Sequence, residues 1–557
     1  MALCQGSPES SILEALAYAA TAQPRWRDAI SLELHDDGYT AALDGSSDDV
    51  FAVREPDDGS RYAVAKWVAV GPRAAGFVAA GRAGTCATST MVCGVPVGDD
   101  MEILRRWRVG YETRLDRITT LSDLDVGLAV RAAAMLRGPG ALAVHLLRAM
   151  PPSAAVLAFW REVDEEWVDL WVRLLRVPTN RLSAWRSRIR DRVFLRSPVG
   201  LGCVPAGEVA VKFHADGLAI AASCLRDIFA GTSLTPTVAV WRALGAGDFE
   251  LSRTERRDWD SLEAAAKRRR QAAEEAIARA VLARHQRIHE EDDHGYGPRE
   301  TEASIPNLYL WWLCGQQPGD TARPKRFEKV HPLVAVRRAF GLPAYGAELG
   351  LPAPPVCGAC GVGAHREGER IPAKHPRKQV DLYGEHALSC NRTAVTTRRH
   401  NAIARTLVQI ADRAGCLPFA QNKALMDGGY KRPGDVTFGR WPGRESGLAV
   451  DVTVRSTWVM SAAEAELDKR EYYAKYFSDY TTQGFAPFAI DLHGGIGPET
   501  WNLIKRLAAM TAMIPWNFVN KSDALRDIVT DLSWTFVTEI TRQVSQSGDR
   551  RVARSFG

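Results

Sequence analysis

Apolar and polar residues alternate most legibly in the C-terminal third of the chain. Through 396–413, Ile403, Leu407, Ile410 and Ala411 recur at spacings of three and four, which predicts an amphipathic helix ended by Gly415. LPFAQNK follows as an extended segment. Residues 435–438 predict a strand entered from the turn Arg432-Pro433-Gly434, and residues 448–454 predict a second strand. A period of two sets Val450, Val452 and Val454 on one face and Ala449, Asp451 and Thr453 on the other. A helix with Leu467, Tyr472, Tyr473 and Tyr476 comes next, then a strand over 485–492, then the GGIGPE turn and a helix. The expected order is helix, three strands, helix, strand, helix.

Upstream, residues 100–190 carry apolar positions at helical spacing, broken at Pro151-Pro152. Trp160, Trp167 and Trp171 fall on one of these helices and read as core anchors. Residues 252–293 predict one long charged helix whose ten basic and ten acidic residues balance. Its cluster Lys267, Arg268, Arg269 and Arg270 reads as a solvated face. Residues 1–100 mix Gly- and Asp-rich turns with short apolar runs, an α+β pattern.

Composition narrows the class. A chain of 557 residues, 46% hydrophobic and 25% charged, is long enough for several packed domains and too apolar for a disordered chain. No run approaches the roughly 18 apolar residues of a membrane span, and the N-terminus lacks a signal-peptide pattern, so secretion and membrane insertion are not expected. The net charge of +5 is mild. Its distribution says more: residues 361–405 hold nine Arg or Lys against four acids, which is +5 in one short stretch. Such a patch points to a phosphate-bearing partner. Arg377, Lys378, Arg398, Arg399, His400 and, just beyond, Arg432 are the candidate DNA contacts.

Of ten cysteines only Cys357 and Cys360 form a tight pair, a usage that favours metal binding in a reducing compartment over disulfides. Cys357-Gly-Ala-Cys360 and His386-Ala-Leu-Ser-Cys390 together offer a Cys3His set for one tetrahedral Zn²⁺. The 25-residue spacer leaves His365, His375 or His400 as alternative ligands.

The second constellation is acidic. Asp435 and Asp451 would sit on adjacent strands of a hairpin, where two carboxylates can hold Mg²⁺ and leave it waters for a substrate phosphate. Such an ion polarises a phosphodiester and lowers the pKa of an attacking water. Lys469 and Lys475, on the following helix, could orient that water or offset transition-state charge. An aspartate flanked by valines in a strand is costly to bury without a partner.

The run CGAC, DLYGEHALSC, RRHN, RPGDV, LAVDVTV and DKREYYAKY resembles the C-terminal part of early-branching, site-specific non-LTR retrotransposon proteins, over about residues 345–515. In that family a CCHC zinc module precedes a restriction-like endonuclease of the PD-(D/E)XK type. The resemblance implies that Asp435 is the first catalytic acid and Asp451 the second. This chain reads Pro-Gly-Asp rather than Pro-Asp and has Thr453 where D-x-K would place lysine. The family's lysine lies on the next helix, which implies Lys469, with Tyr472 or Tyr473 and Lys475 nearby. GVPVG at 94–98, AMPPSAA at 149–155, SPVGLGC at 197–203 and ADGLAIAASCL at 215–225 are similar, more weakly, to the end of the reverse transcriptase in such elements. Asp36-Asp37 has only 35 residues before it, too few for a fingers-and-palm domain, so no polymerase activity is expected.

The resulting expectation is an α+β multidomain chain. Residues 1–100 form a degenerate palm-like remnant, 101–250 a helical thumb-like domain and 251–345 a charged helical linker. Residues 346–395 form the zinc module and 396–545 an α/β restriction-endonuclease-like domain. The expected activity is Mg²⁺-dependent DNA nicking that yields a priming 3′-hydroxyl for target-primed reverse transcription. The resemblance further implies a nuclear protein that meets DNA, element RNA and a polymerase-bearing element protein in trans. The alternatives are a catalytically inactive, zinc-containing nucleic-acid-binding relic and a DNA repair or junction nuclease.

Overall fold

The computed structural model describes six short strands within residues 1–99, and then residues 100–195, 200–228, 259–291, 305–314, 332–349, 351, 381–390, 395–420, 434–444, 447–456, 460–474, 484–514 and 519–546. The described residues are mostly helical, and they include one small mixed sheet of four strands in the C-terminal part. The chain divides into two compact units whose segments interleave. One comprises residues 1–117, 136–167 and 203–283; the other comprises 118–135, 168–202 and 284–557. Among the described residues no helix is long and apolar enough to cross a membrane.

In the first unit, Tyr39–Ala41, Phe51–Arg54, Trp67–Val70 and Thr85–Ala87 form a sheet in that order, and Ser89–Val92 pairs with Val95–Gly98. Trp107 stacks on Tyr111 at 5.1 Å and meets Trp160 edge-on at 5.0 Å, an aromatic cluster that anchors the helices by area and ring geometry. Trp160 and Trp167 are fully buried here, and Trp171 is fully buried in the other unit, as core anchors should be. The Asp164 carboxylate accepts the Ala206 and Gly207 N–H groups at 2.7 and 2.8 Å, closing the first turn of helix Ala206–Ile228. The long charged helix runs Trp259–Glu291. Within its basic cluster, Lys267 pairs with Glu263, and Arg270 with Asp216 and Glu274. That is the solvated, salt-bridged face the charge balance predicts.

The second unit carries the sheet. Its elements are numbered from residue 305 onward. Helices α1 (Leu308–Cys314) and α2 (Pro332–Ala339) precede the short α3 (Glu385–Ser389) and then α4 (Val395–Arg413). Next come strands β1 (Pro418–Ala420), β2 (Val436–Phe438) and β3 (Leu448–Arg455), helix α5 (Ala462–Ala474) and strand β4 (Gly484–Asp491). Helices α6 (Pro498–Ala512) and α7 (Lys521–Gln546) close the unit. From α4 onward this is the order read from periodicity.

The strand order is β4-β3-β2-β1, with β4 parallel to β3 and the other pairs antiparallel. Pro487 lies on β4, an edge strand, where a missing N–H is tolerated. In α4, Ile403, Leu407, Ile410 and Ala411 are all fully buried, and Gly415 ends the segment at φ +70°. Asn307 caps α1, its Oδ1 accepting the Tyr309 N–H at 3.0 Å while its Nδ2 donates to the His493 carbonyl at 2.8 Å.

Two details differ from the periodicity reading. The β3 strand is buried on both faces from Leu448 to Thr453, because helices cover the face that alternation would leave to water. In α5 the buried residues are Ala462, Ala465, Glu466 and Tyr473, whereas Leu467 and Tyr472 are exposed.

Candidate active site

Asp435 and Asp451 meet at the open end of the β2–β3 ladder. That ladder runs from Phe438 opposite Leu448 to Val436 opposite Val450, and Asp435 comes just before β2 while Asp451 comes just after Val450 on β3. Asp435 is held there by two bonds. Its N–H donates to the Val450 carbonyl at 2.9 Å, and its Oδ2 accepts the Val452 N–H at 2.8 Å. The carboxylate thus continues the ladder where the backbone of β2 runs out. Gly434 makes the approach possible: a Cβ there would stand 2.7 Å from the Val450 carbonyl oxygen. The glycine before Asp435 is therefore a steric requirement of this crossing.

His400, on α4, completes the Asp435 environment. Its Nε2 lies 2.9 Å from both Asp435 Oδ2 and the Val452 carbonyl oxygen. Both partners are acceptors, so Nε2 carries the proton and donates. The hydrogen bond to Asp435 holds the imidazole above the usual histidine range, against its burial. At Asp435 burial pushes the carboxyl upward, but the His400 bond and charge, the Val452 N–H and the Lys469 charge outweigh it. The carboxyl lies below its usual range.

Asp451 sits mid-strand and is 6% exposed. The α5 helix reaches it with two residues one turn apart. Lys469 Nζ lies 2.6 Å from its Oδ2, and Tyr473 donates its hydroxyl to Oδ1 at 3.1 Å. Burial raises the Asp451 carboxyl above its usual range. The neighbouring Asp435 charge adds to that, and Lys469 and Tyr473 only partly offset it. Burial and the Asp451 charge likewise hold Tyr473 well above the ordinary tyrosine range, so it stays a neutral donor. The two carboxylates titrate as a pair pushed in opposite directions.

Both aspartates, His400 and Lys469 line one cleft of about 460 Å³. It runs from the acid pair toward the C-terminal ends of β3 and β4, where Arg455, Ser456 and Leu492 lie beside the first turn of α4. A pair of buried carboxylates beside an open cleft fits a hard divalent cation, which needs few protein oxygens. Among the described residues Asp435 Oδ1 has no hydrogen-bond partner. Thr453, at the textual lysine position, is buried on the same face. The lysine beside the acids comes from the helix instead.

The other candidate residues lie elsewhere. Arg399 is 3% exposed and donates through Nη1 to the Leu388 carbonyl and to Gln543. Burial brings its guanidinium down to about 10. Arg398 pairs with Glu539 at 3.1 Å. His386 and Cys390 are both buried, His386 on α3 and Cys390 just past its end. Cys357, Cys360, Arg377, Lys378, Arg432 and Lys475, the alternative ligands His365 and His375, and Asp36-Asp37 lie outside the described residues. Among the described residues no group of three His, Cys, Asp or Glu side chains is placed to hold a metal.

Sequence reasoning offered His400 as a DNA contact or an alternative zinc ligand and missed its bond to Asp435. It also passed over Glu466, a buried carboxylate on the same helix as Lys469. Glu466 accepts the Glu499 and Thr500 N–H groups and the Thr500 hydroxyl, and so caps α6. No protein-family profile matches the chain, and a search of the curated proteins finds no match.

Proposed function

We propose that the chain is a retroelement-derived endonuclease that nicks DNA by metal-dependent phosphodiester hydrolysis. The observation that carries this reading is the paired Asp435 and Asp451 in one cleft, with the Lys469 ammonium 2.6 Å from the second acid. Asp435 and Asp451 would hold Mg²⁺. Bound there, the ion polarises the scissile phosphodiester and lowers the pKa of a bound water. His400 orients Asp435 by hydrogen bonding, and Tyr473 fixes Asp451. Lys469, beside Asp451, would offset charge that develops on the phosphate. His386 and Cys390, one helical turn apart, suit two ligands of a structural Zn²⁺, with Cys357 and Cys360 proposed as the others. In this reading DNA is the substrate, the protein acts in the nucleus, and element RNA and a polymerase-bearing protein act with it.

The test is a plasmid-nicking assay with Mg²⁺ on the full chain. Asp435→Ala and Asp451→Ala should each abolish nicking while DNA binding is retained. Nicking that survives both changes removes the assignment. DNA binding with no metal-dependent nicking by the wild-type chain would favour the inactive relic.

A further inference from the structure

The acid pair fills only one end of the cleft. At the other end, Arg455 continues the β3 face that carries Asp451 and Thr453, two pleats further along. The residue is partly buried, and its Nε is shielded from solvent without a hydrogen-bond partner. Thr397 in the first turn of α4, Ser389 at the end of α3 and Ser456 just past β3 line the same end.

The charges in the cleft do not cancel. Asp435 is matched by His400 and Asp451 by Lys469. Arg399 meets only neutral acceptors, and among the described residues neither it nor Arg455 forms an ion pair. Two guanidinium charges are left over in a cleft whose carboxylates already have partners. The N-terminus of the 19-residue α4 adds the positive end of its dipole. The site also lies beyond the carboxyl ends of two parallel strands, where ligands of open α/β sheets gather.

We propose that this end of the cleft is a phosphodiester subsite, with Arg455 as its principal charge. It holds a backbone phosphate of duplex DNA flanking the one at the acid pair. Arg455 and the Ser and Thr hydroxyls supply the hydrogen bonds, and Arg399 supplies charge from behind. The subsite rests on the nuclease reading for the use made of the bound strand, but not for its affinity for phosphate.

The experiment measures binding of the full chain to a short fluorescein-labelled DNA duplex by anisotropy over a range of salt, with Ca²⁺ replacing Mg²⁺ to prevent cutting. Arg455→Gln should weaken binding several-fold and flatten the slope of log affinity against log salt by about one unit, as loss of one phosphate contact does. Arg455→Lys should keep the slope. Thr397→Glu places a carboxylate at the helix start, which favours the helix but repels phosphate. It should weaken binding with an unchanged or higher melting temperature. Wild-type affinity and slope in both Arg455→Gln and Thr397→Glu would overturn the subsite. A flattened slope in Arg455→Gln alongside full nicking by Asp451→Ala would keep the subsite and remove the nuclease reading.

Discussion

Two groups of buried charge lie side by side in the second unit, and they are built on opposite plans. Behind the sheet, Arg338 is 2% exposed, and its guanidinium is used on every side. It donates to the Tyr309 hydroxyl at 3.0 Å, the Tyr383 carbonyl at 2.6 Å, Glu385 at 2.8 Å and the Leu492 carbonyl at 3.1 Å. Nearby, Asp381 accepts three backbone N–H groups, from Tyr383, Glu385 and His386. That cluster is densely bonded, with Glu385 Oε2 left over, and joins α1, α2 and α3 to the end of β4. In the acid cleft each carboxylate instead meets a single cationic side chain, His400 at Asp435 and Lys469 at Asp451, and Asp435 keeps Oδ1 without a hydrogen bond among the described residues. A densely bonded cluster fixes a fold. An open one, with a histidine and a lysine in place, suits exchange with an incoming ion.

Three consecutive residues of α4 join the two regions. Successive helical residues turn by about 100°, so Arg398, Arg399 and His400 leave in three directions. Arg398 goes to Glu539 on α7, Arg399 to the Leu388 carbonyl and Gln543, and His400 to Asp435.

The largest effect expected on stability is in the densely bonded cluster. Arg338→Met leaves Glu385 buried without its partner and should cost about 3–5 kcal/mol in urea unfolding. If the loss is under 1 kcal/mol, the two regions do not differ as described.

The acids themselves should respond with opposite signs to loss of charge. Asp435 is stabilised as a carboxylate, so Asp435→Asn should lose about 1 kcal/mol at neutral pH, allowing for screening by the open cleft. The stability it contributes is present above the unfolded aspartate pKa and fades as pH falls through the lowered folded value. Asp451 is destabilised as a carboxylate, so Asp451→Asn should melt at or above the wild-type temperature at neutral pH. That advantage should disappear as pH falls through the raised folded value and the wild-type acid takes its proton. Thermal melts of both variants across acid to neutral pH read the two signs directly. Equal losses in both would erase the asymmetry of the pair. Smallest of all, Arg398→Ala removes a largely buried ion pair but leaves Glu539 paired with Arg542, and should change stability by no more than about 1 kcal/mol in the same melts.

Much of the sheet region was legible because its periods are clean. The buried face of α4, the β3 strand and the GGIGPE turn stand where spacing put them, while β2 starts one residue later than expected, at Val436. The pairing of Asp435 with Asp451 was also legible, since a hairpin between neighbouring strands leaves few registers. What the sequence hid were directions around a helix. In RRH nothing local says which basic side chain meets a carboxylate, which a carbonyl and which the site. That depends on α7 and β3, which are remote in sequence. Glu466 was hidden for a related reason. Its role comes from the N–H groups of α6, more than thirty residues on. The burial of both faces of β3 likewise depends on helices that its own alternation cannot announce.

The central claim is that Asp435 and Asp451 hold one divalent cation between them. Titration of the full chain with Mn²⁺, followed by electron paramagnetic resonance, tests it without relying on catalysis. The account predicts a bound ion that Mg²⁺ displaces and that is lost in both Asp435→Asn and Asp451→Asn. Mn²⁺ binding of unchanged strength in a chain carrying both substitutions would contradict it.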